Sequence, residues 1–312
     1  MAAQNKEVDA LVQKITGLHA AIAKLPSLSP SPDVDALFTE LVTACVPPSP
    51  VDVTNSPLDV TKLGPEAQEM REGLIHLYSE AEGKLEAHYS DVLAAFNNPL
   101  DHLGMFPYYN NYLNLSKLEY ELLARYVPGG IARPASFVLA ARHLPDTMFD
   151  NYDLCGAAND RASKLFRADK DLGARMSFHT ADVADLAGEL ATYDVVFLAA
   201  LVGMAADEKA KVIAHLGAHM ADGAALVVRS AHGARGFLYP IVDPQDIAGG
   251  GFGVLAVCHP DDDVVNSVII AQKSKEVHAN GLRSGRRGQY AHGTVPVVSP
   301  PCRFGEMVAN VT

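Results

Sequence analysis

Residues Arg133–Leu154, RPASFVLAARHLPDTMFDNYDL, decide how the rest of the chain is read. Their end, MFDNYDL (Met148–Leu154), reads as the second strand of a nucleotide-binding α/β sheet, with Asp153 near its close. SFVLAARHL (Ser136–Leu144) reads as the helix ahead of it. In such folds that helix is entered from a first strand through a glycine-rich turn. Here GGIARPA (Gly129–Ala135) runs straight into the helix, so the turn is missing.

Downstream the texture is consistent with that reading. Short β-rich runs alternate with helical patterns: MSFHTAD, YDVVFLAALVG, AALVVRSA, FGVLAVCHP and NSVIIAQK. This alternation implies βαβ units and a mainly parallel, doubly wound sheet over residues 131–275. YDVVFLAAL is apolar on both alternations, as a central strand covered on both faces should be. The last two runs are joined by an acidic loop short enough for an antiparallel hairpin. Residues 276–312 are rich in Gly, Arg, Ser and Pro without periodicity and read as a disordered tail.

Upstream, residues 1–130 read as a helical domain. Val8, Leu11, Ile15, Leu18 and Ile22 recur at helical spacing. Ser31 and Pro32 predict the start of a second helix. From Pro65 to Phe96 one stripe persists through Leu74, Tyr78, Ala81, Leu85, Tyr89, Val92 and Phe96, predicting a long amphipathic helix. A further helix is expected to end before PGG at Pro128.

The chain has 312 residues, 48% of them hydrophobic, an ordinary globular composition. Its net charge of −12 argues against a nucleic-acid partner. The one basic cluster, GLRSGRRGQY, lies in the tail. Four separated cysteines suit a reducing compartment. The longest apolar run, VVFLAALVGMAA, is too short to insert stably in a membrane, and a cytoplasmic location is expected. The strings YLNL (Tyr112–Leu115) and Leu122-Leu123 match vesicle-sorting signals, although packed helices carry such strings often.

Ligands of doubly wound sheets bind beyond the carboxyl ends of the strands. Asp153 and Asp182 stand there and could accept ribose hydroxyls and the adenine amino group; each could equally cap the following helix. Val183 and Leu198 flank the same edge. Arg229, His232 and Tyr239 follow a later strand and could line the crevice, although a lone histidine is more often structural. His215 and His219 have metal-ligand spacing but no third ligand, so no metal site is expected. A second cluster lies in the helical region. Glu82 and Glu86 are one turn apart, and FPYYNNY brings Tyr108, Tyr109 and Tyr112, with Glu119 following. Phenols orient amines and carboxylates, and a partly buried glutamate can take a proton from an amine. A solvated glutamate face over core tyrosines would give the same pattern.

LDHLGMFPYYNNYLNLSKLEYELL, RHLPDTMFDNYDLCGAANDRASKL, RMSFHTADV, YDVVFLAALVGM, RSAHGARGFLYPIVD and HPDDDVVNSVIIA together resemble nicotianamine synthases of grasses. The resemblance implies a helical domain on a methyltransferase-like Rossmann domain. It implies a reaction in which three S-adenosylmethionine molecules give up 3-amino-3-carboxypropyl groups to form nicotianamine and methylthioadenosine. Nicotianamine chelates iron, zinc and copper. S-adenosylmethionine is then substrate, no separate cofactor is implied, and the reading allows a homo-oligomer.

In this frame Glu82 is the expected base, with Glu86 second. Tyr108, Tyr109 and Tyr112 would position the transferred groups; Asp153, Asp182, Val183, Leu198 and His232 would contact the adenosine side. Members of the family carry a first strand and turn resembling VAFVGSGPLPL ahead of the helix, and this chain lacks it. A non-catalytic member of the family is therefore the competing expectation. An ordinary methyltransferase or an aminopropyltransferase would have no need of the second, Glu/Tyr cluster.

Overall fold

Local signals start the helices where they are expected. In the computed structural model, which describes residues 2–46, 58–127, 144, 147–260, 264–274 and 297–298, helix α1 spans Ala2–Ile22 and α2 spans Pro32–Cys45. Ser31 caps α2, its hydroxyl accepting from the Val34 N–H at 3.3 Å, and Pro32 fills the first turn, where no amide donor is needed. Helix α3 spans Pro65–Leu93. Ile15, Ile22, Leu41, Leu74 and Tyr78 meet in one apolar cluster between the three helices. The α3 stripe holds through Ala81, then opens: Leu85, Tyr89 and Val92 are half-buried. Phe96 lies beyond the helix, 37% exposed and stacked on His102. Of this outer half, Leu85 lines a cavity and Tyr89 packs edge-on against Phe106 at 5.7 Å.

Helix α4, Tyr109–Tyr126, follows the helical region in sequence yet packs on the sheet. Its Leu115, Leu118, Leu122 and Leu123 are buried against strands β3 (Val195–Leu198), β4 (Ala225–Ser230), β5 (Phe252–Cys258) and β6 (Ser267–Lys273). The leucines of both sorting-like strings are thus inside the fold and not available to a partner. Period-two alternation puts Ala225, Val227, Val268 and Ile270 under α4. Leu226, Val228, Ile269 and Ala271 face the opposite side, beneath α7 (Ala206–His219) and α8 (Pro244–Gly249). Gly217 of α7 has no alternative there, because a Cβ would sit 1.7 Å from the Gly250 carbonyl oxygen.

Strands β1 (Phe149–Asp153) and β2 (Met176–Thr180) pair in parallel, from Phe149 opposite Met176 to Asp153 opposite Thr180. They are covered by α5 (Gly156–Phe166) and α6 (Lys170–Arg175) around Phe149, Phe166, Leu172 and Met176. The remaining strands form a separate sheet in the order β3-β4-β6-β5-β7, β7 being Val297–Val298. Strands β3 and β4 are parallel; β6 is antiparallel to both β4 and β5, as the hairpin reading expects.

The break between the two sheets falls between β1 and β3. Chain order reverses there, and this is the slot a central first strand occupies in a doubly wound sheet. Among the described residues β3 is consequently an edge strand. Its Val196 and Phe197 are half-buried, not covered on both sides as expected. Phe197 touches the apolar clusters on both sides of the break. The helix expected over Ser136–Leu144 lies outside the described residues, apart from Leu144 itself. Of the tail, Val297–Val298 pair in parallel with β5 and depart from the expectation of disorder; the rest lies outside the described residues.

Candidate active site

The site forms where α3 and α4 cross the carboxyl edge of the sheet. Glu82 and Glu86 project from one side of α3, one turn apart. Tyr239, just past the short turn Gly233–Phe237 after β4, donates its hydroxyl to Glu82 Oε1 at 2.9 Å. Tyr112, on the first turn of α4, donates to Glu86 Oε1 at 2.9 Å. Tyr78 sits one turn before Glu82, with its ring edge-on to Tyr239 at 5.3 Å, and is hydrogen-bonded to Tyr108. Beneath these groups Arg229 grips the fully buried Glu119 with two bonds, Nε to Oε1 at 2.7 Å and Nη2 to Oε2 at 3.2 Å. That planar pairing fixes a positive charge under two carboxylates at the end of β4.

Burial pushes the Glu82 carboxyl up to about 7 from its ordinary 4.5, and the neighbouring Glu86 adds to the rise, while the Tyr239 hydrogen bond and Arg229 oppose it. Glu86 is also raised, first by burial, with Asp153 adding repulsion against Tyr112 and Arg229. Its surface is nevertheless open to solvent. A carboxyl that is ringed by protein yet reachable by water lies in a concave site. Burial, with Glu86 and Glu82 beside Tyr112 and Glu82 beside Tyr239, holds both phenols well above 10.0, so they remain donors. On the other side of Glu82 a cavity of about 420 Å³ is lined by Val34, Asp35, Phe38, Tyr78, Leu85 and Tyr108.

The Asp153–Glu86 repulsion places the end of β1 against the acidic helix, and Arg161 of α5 bridges to Asp91 of α3 at 3.2 Å. Asp153 also accepts from the Cys155 N–H at 2.7 Å, and Asp182 from the Ala184 N–H at 2.9 Å. Asp182 thus caps the short turn after β2 and Asp153 closes a tight turn ahead of α5, each with one oxygen; among the described residues the other oxygen of each is unengaged. Val183 starts the short turn after Asp182 and is half-buried.

Leu198 sits elsewhere than expected. Leu198 is 4% exposed and packs in the core under α7, because β3 turns that side chain inward. His232 stacks on His259 at 4.0 Å. Tyr109 opens α4, its N–H bonded to the Phe106 carbonyl, and is half-buried. Leu154, the residue after Asp153, is an exposed apolar side chain, 71% exposed.

A family model described as nicotianamine synthase protein matches residues 3–278. The chain belongs to the nicotianamine synthase family. It is 86% identical to probable nicotianamine synthase 2 of Hordeum vulgare, covering 100% of this chain and 96% of that one. It is 69% identical to nicotianamine synthase 2 of Oryza sativa subsp. japonica, covering 99% and 94%. The barley alignment runs over 328 positions, 16 more than this chain has residues, so gaps fall in this chain. Among solved structures, MtNAS in complex with MTA and tNA shares the fold, with a TM-score of 0.66, 20% identity and coverage of 85% and 97%. No trio of His, Cys, Asp or Glu able to hold a metal occurs among the described residues. His215 and His219 are engaged instead, His215 Nε2 with the Leu186 carbonyl at 2.6 Å and His219 Nδ1 with the His215 carbonyl at 2.9 Å.

Chemically the cluster offers one carboxyl that changes charge near neutrality, a second beside it in an open cleft, and four phenol donors (Tyr78, Tyr108, Tyr112 and Tyr239). Such a set orients an amine and removes its proton.

Proposed function

We propose that this chain condenses S-adenosylmethionine into nicotianamine, with Glu82 as the proton acceptor. The observation that carries the reading is the pair of glutamates facing the carboxyl edge of the sheet, Glu86 against Asp153 and Glu82 held near 7 beside Tyr239. Asp153 and Asp182 take the adenosine with their unengaged oxygens, and Leu154 packs against it. Tyr112 and Tyr108 orient the amino and carboxylate groups of donor and acceptor.

The attacking amine loses a proton to Glu82 and forms a bond to the carbon beside the sulfonium. The carbon–sulfur bond breaks with its electron pair going to sulfur, and methylthioadenosine leaves. A sulfonium needs no acid to depart, so alignment and proton removal are the work left to the protein. The product would bind iron, zinc or copper. Among the described residues no helix is long and apolar enough to cross a membrane, and Cys45, Cys155 and Cys258 are free thiols, which supports a cytoplasmic site of action.

Incubation of the folded chain with S-adenosylmethionine, followed by mass spectrometry, should give nicotianamine and methylthioadenosine together. The glycine turn missing from GGIARPA favours a second reading, a member of the family that does not turn over. Protein shown to be folded by circular dichroism that releases no methylthioadenosine would decide for it.

A further inference from the structure

Lys209 stands where a lysine is disfavoured. It lies in the first turn of α7, near the positive end of the helix dipole. It is only 3% exposed, and among the described residues no carboxylate pairs with it. Burial draws its ammonium down to about 8. What it does make is two hydrogen bonds, Nζ to the carbonyl oxygens of Ala199 at 3.1 Å and Ala200 at 2.9 Å. These are the first two residues after β3.

The same loop is clasped from its other end. Gly203 has φ +67, and a Cβ there would meet the Lys209 backbone nitrogen at 2.9 Å. The loop is thus wrapped around one residue, fastened by its side chain and pressed on its backbone. Ala200 is buried in the cluster that also holds Tyr78 and Tyr239, the two phenols around Glu82. The loop emerges at the carboxyl end of β3, next to the break in the sheet, where a doubly wound fold takes its ligand.

We propose that Lys209 is a positioning residue for S-adenosylmethionine: its ammonium holds Ala199–Ala200 so that the loop after β3 forms one wall of the donor crevice and seats the phenols beside Glu82. This rests on the proposed reaction only for the identity of the ligand.

The test compares the full chain with Lys209→Met, which keeps the side chain's bulk without its donors, with Lys209→Arg, and with Gly203→Ala. Hydrogen exchange of the peptide covering 199–204 is read without ligand, and affinity for S-adenosylmethionine by calorimetry. The expected result is faster exchange confined to that loop and at least tenfold weaker binding in Lys209→Met, partly restored in Lys209→Arg, with Gly203→Ala also loosening the loop. Unchanged loop exchange and affinity in Lys209→Met would overturn the proposal. So would exchange rising across the whole domain with no loss of affinity, the mark of a merely structural lysine. No binding by the unsubstituted chain would overturn the donor reading of the crevice itself.

Discussion

Replacing Glu82 by Gln should make the protein more stable and sharply lower its activity. Gln keeps the shape of the side chain and an oxygen to accept the Tyr239 hydroxyl, but never ionises. In the folded chain Glu82 is raised from 4.5 to about 7. At about 1.4 kcal/mol for each tenfold change in proton affinity, the folded state penalises the ionised form by about 3 kcal/mol. The proton is held more tightly in the folded than in the unfolded chain, so the penalty is absent below pH 4.5. It grows as pH rises towards about 7 and is complete above that.

The Gln variant escapes it and also removes the repulsion on Glu86. Urea unfolding followed by circular dichroism should show the variant more stable by up to about 3 kcal/mol at roughly pH 8, with the two proteins converging near pH 4.5. Methylthioadenosine release should fall by about 10²–10⁴-fold, the usual contribution of a positioned base. Equal stability at the alkaline pH would refute the account of Glu82 as a buried, strained acid. Undiminished turnover would refute its role as base.

Three further outcomes follow from the same geometry. Tyr239→Phe removes a hydrogen bond that holds the Glu82 carboxyl down, so the ascending limb of the kcat/KM–pH profile should move to higher pH than in the parent. Glu119→Ala leaves Arg229 unpaired in the interior and should cost about 3–5 kcal/mol, read as a fall in Tm, whereas breaking the exposed Lys211–Asp207 pair should leave Tm nearly unchanged. Inserting a strand and glycine turn of about ten residues ahead of Ser136 should join β1 to β3, raise Tm and tighten S-adenosylmethionine binding about tenfold. An inserted chain with neither change would show that the break in the sheet carries no functional cost.

Patterns whose physical cause is local are readable in the sequence alone. The Ser31-Pro32 cap, the apolar stripe through Ala81 and the period-two strands β4 and β6 each follow from neighbours a few residues apart. The absence of a glycine turn is equally visible there, and among the described residues the strands fall into two sheets. The outer stripe misleads because periodicity says which residues share a face, not what covers it; Leu85 lines a cavity and Tyr89 is only half-buried. Leu198 misleads for a related reason, since the last residue of a strand points inward or outward according to register.

Glu82, Glu86 and the tyrosines of FPYYNNY are legible as residue types suited to amine chemistry, and long strings of sequence resemble one family. The sequence by itself therefore determined the family, the kinds of group available and the missing strand. Only the tertiary structure decided which of them act together. Tyr239 reaches Glu82 across 157 residues and Arg229 reaches Glu119 across 110. Those partners are chosen by how α3 and α4 pack on the carboxyl edge of the sheet. The same packing excludes enough water to move a carboxyl to neutrality, an effect that depends on everything surrounding the group and is written in no short stretch of chain.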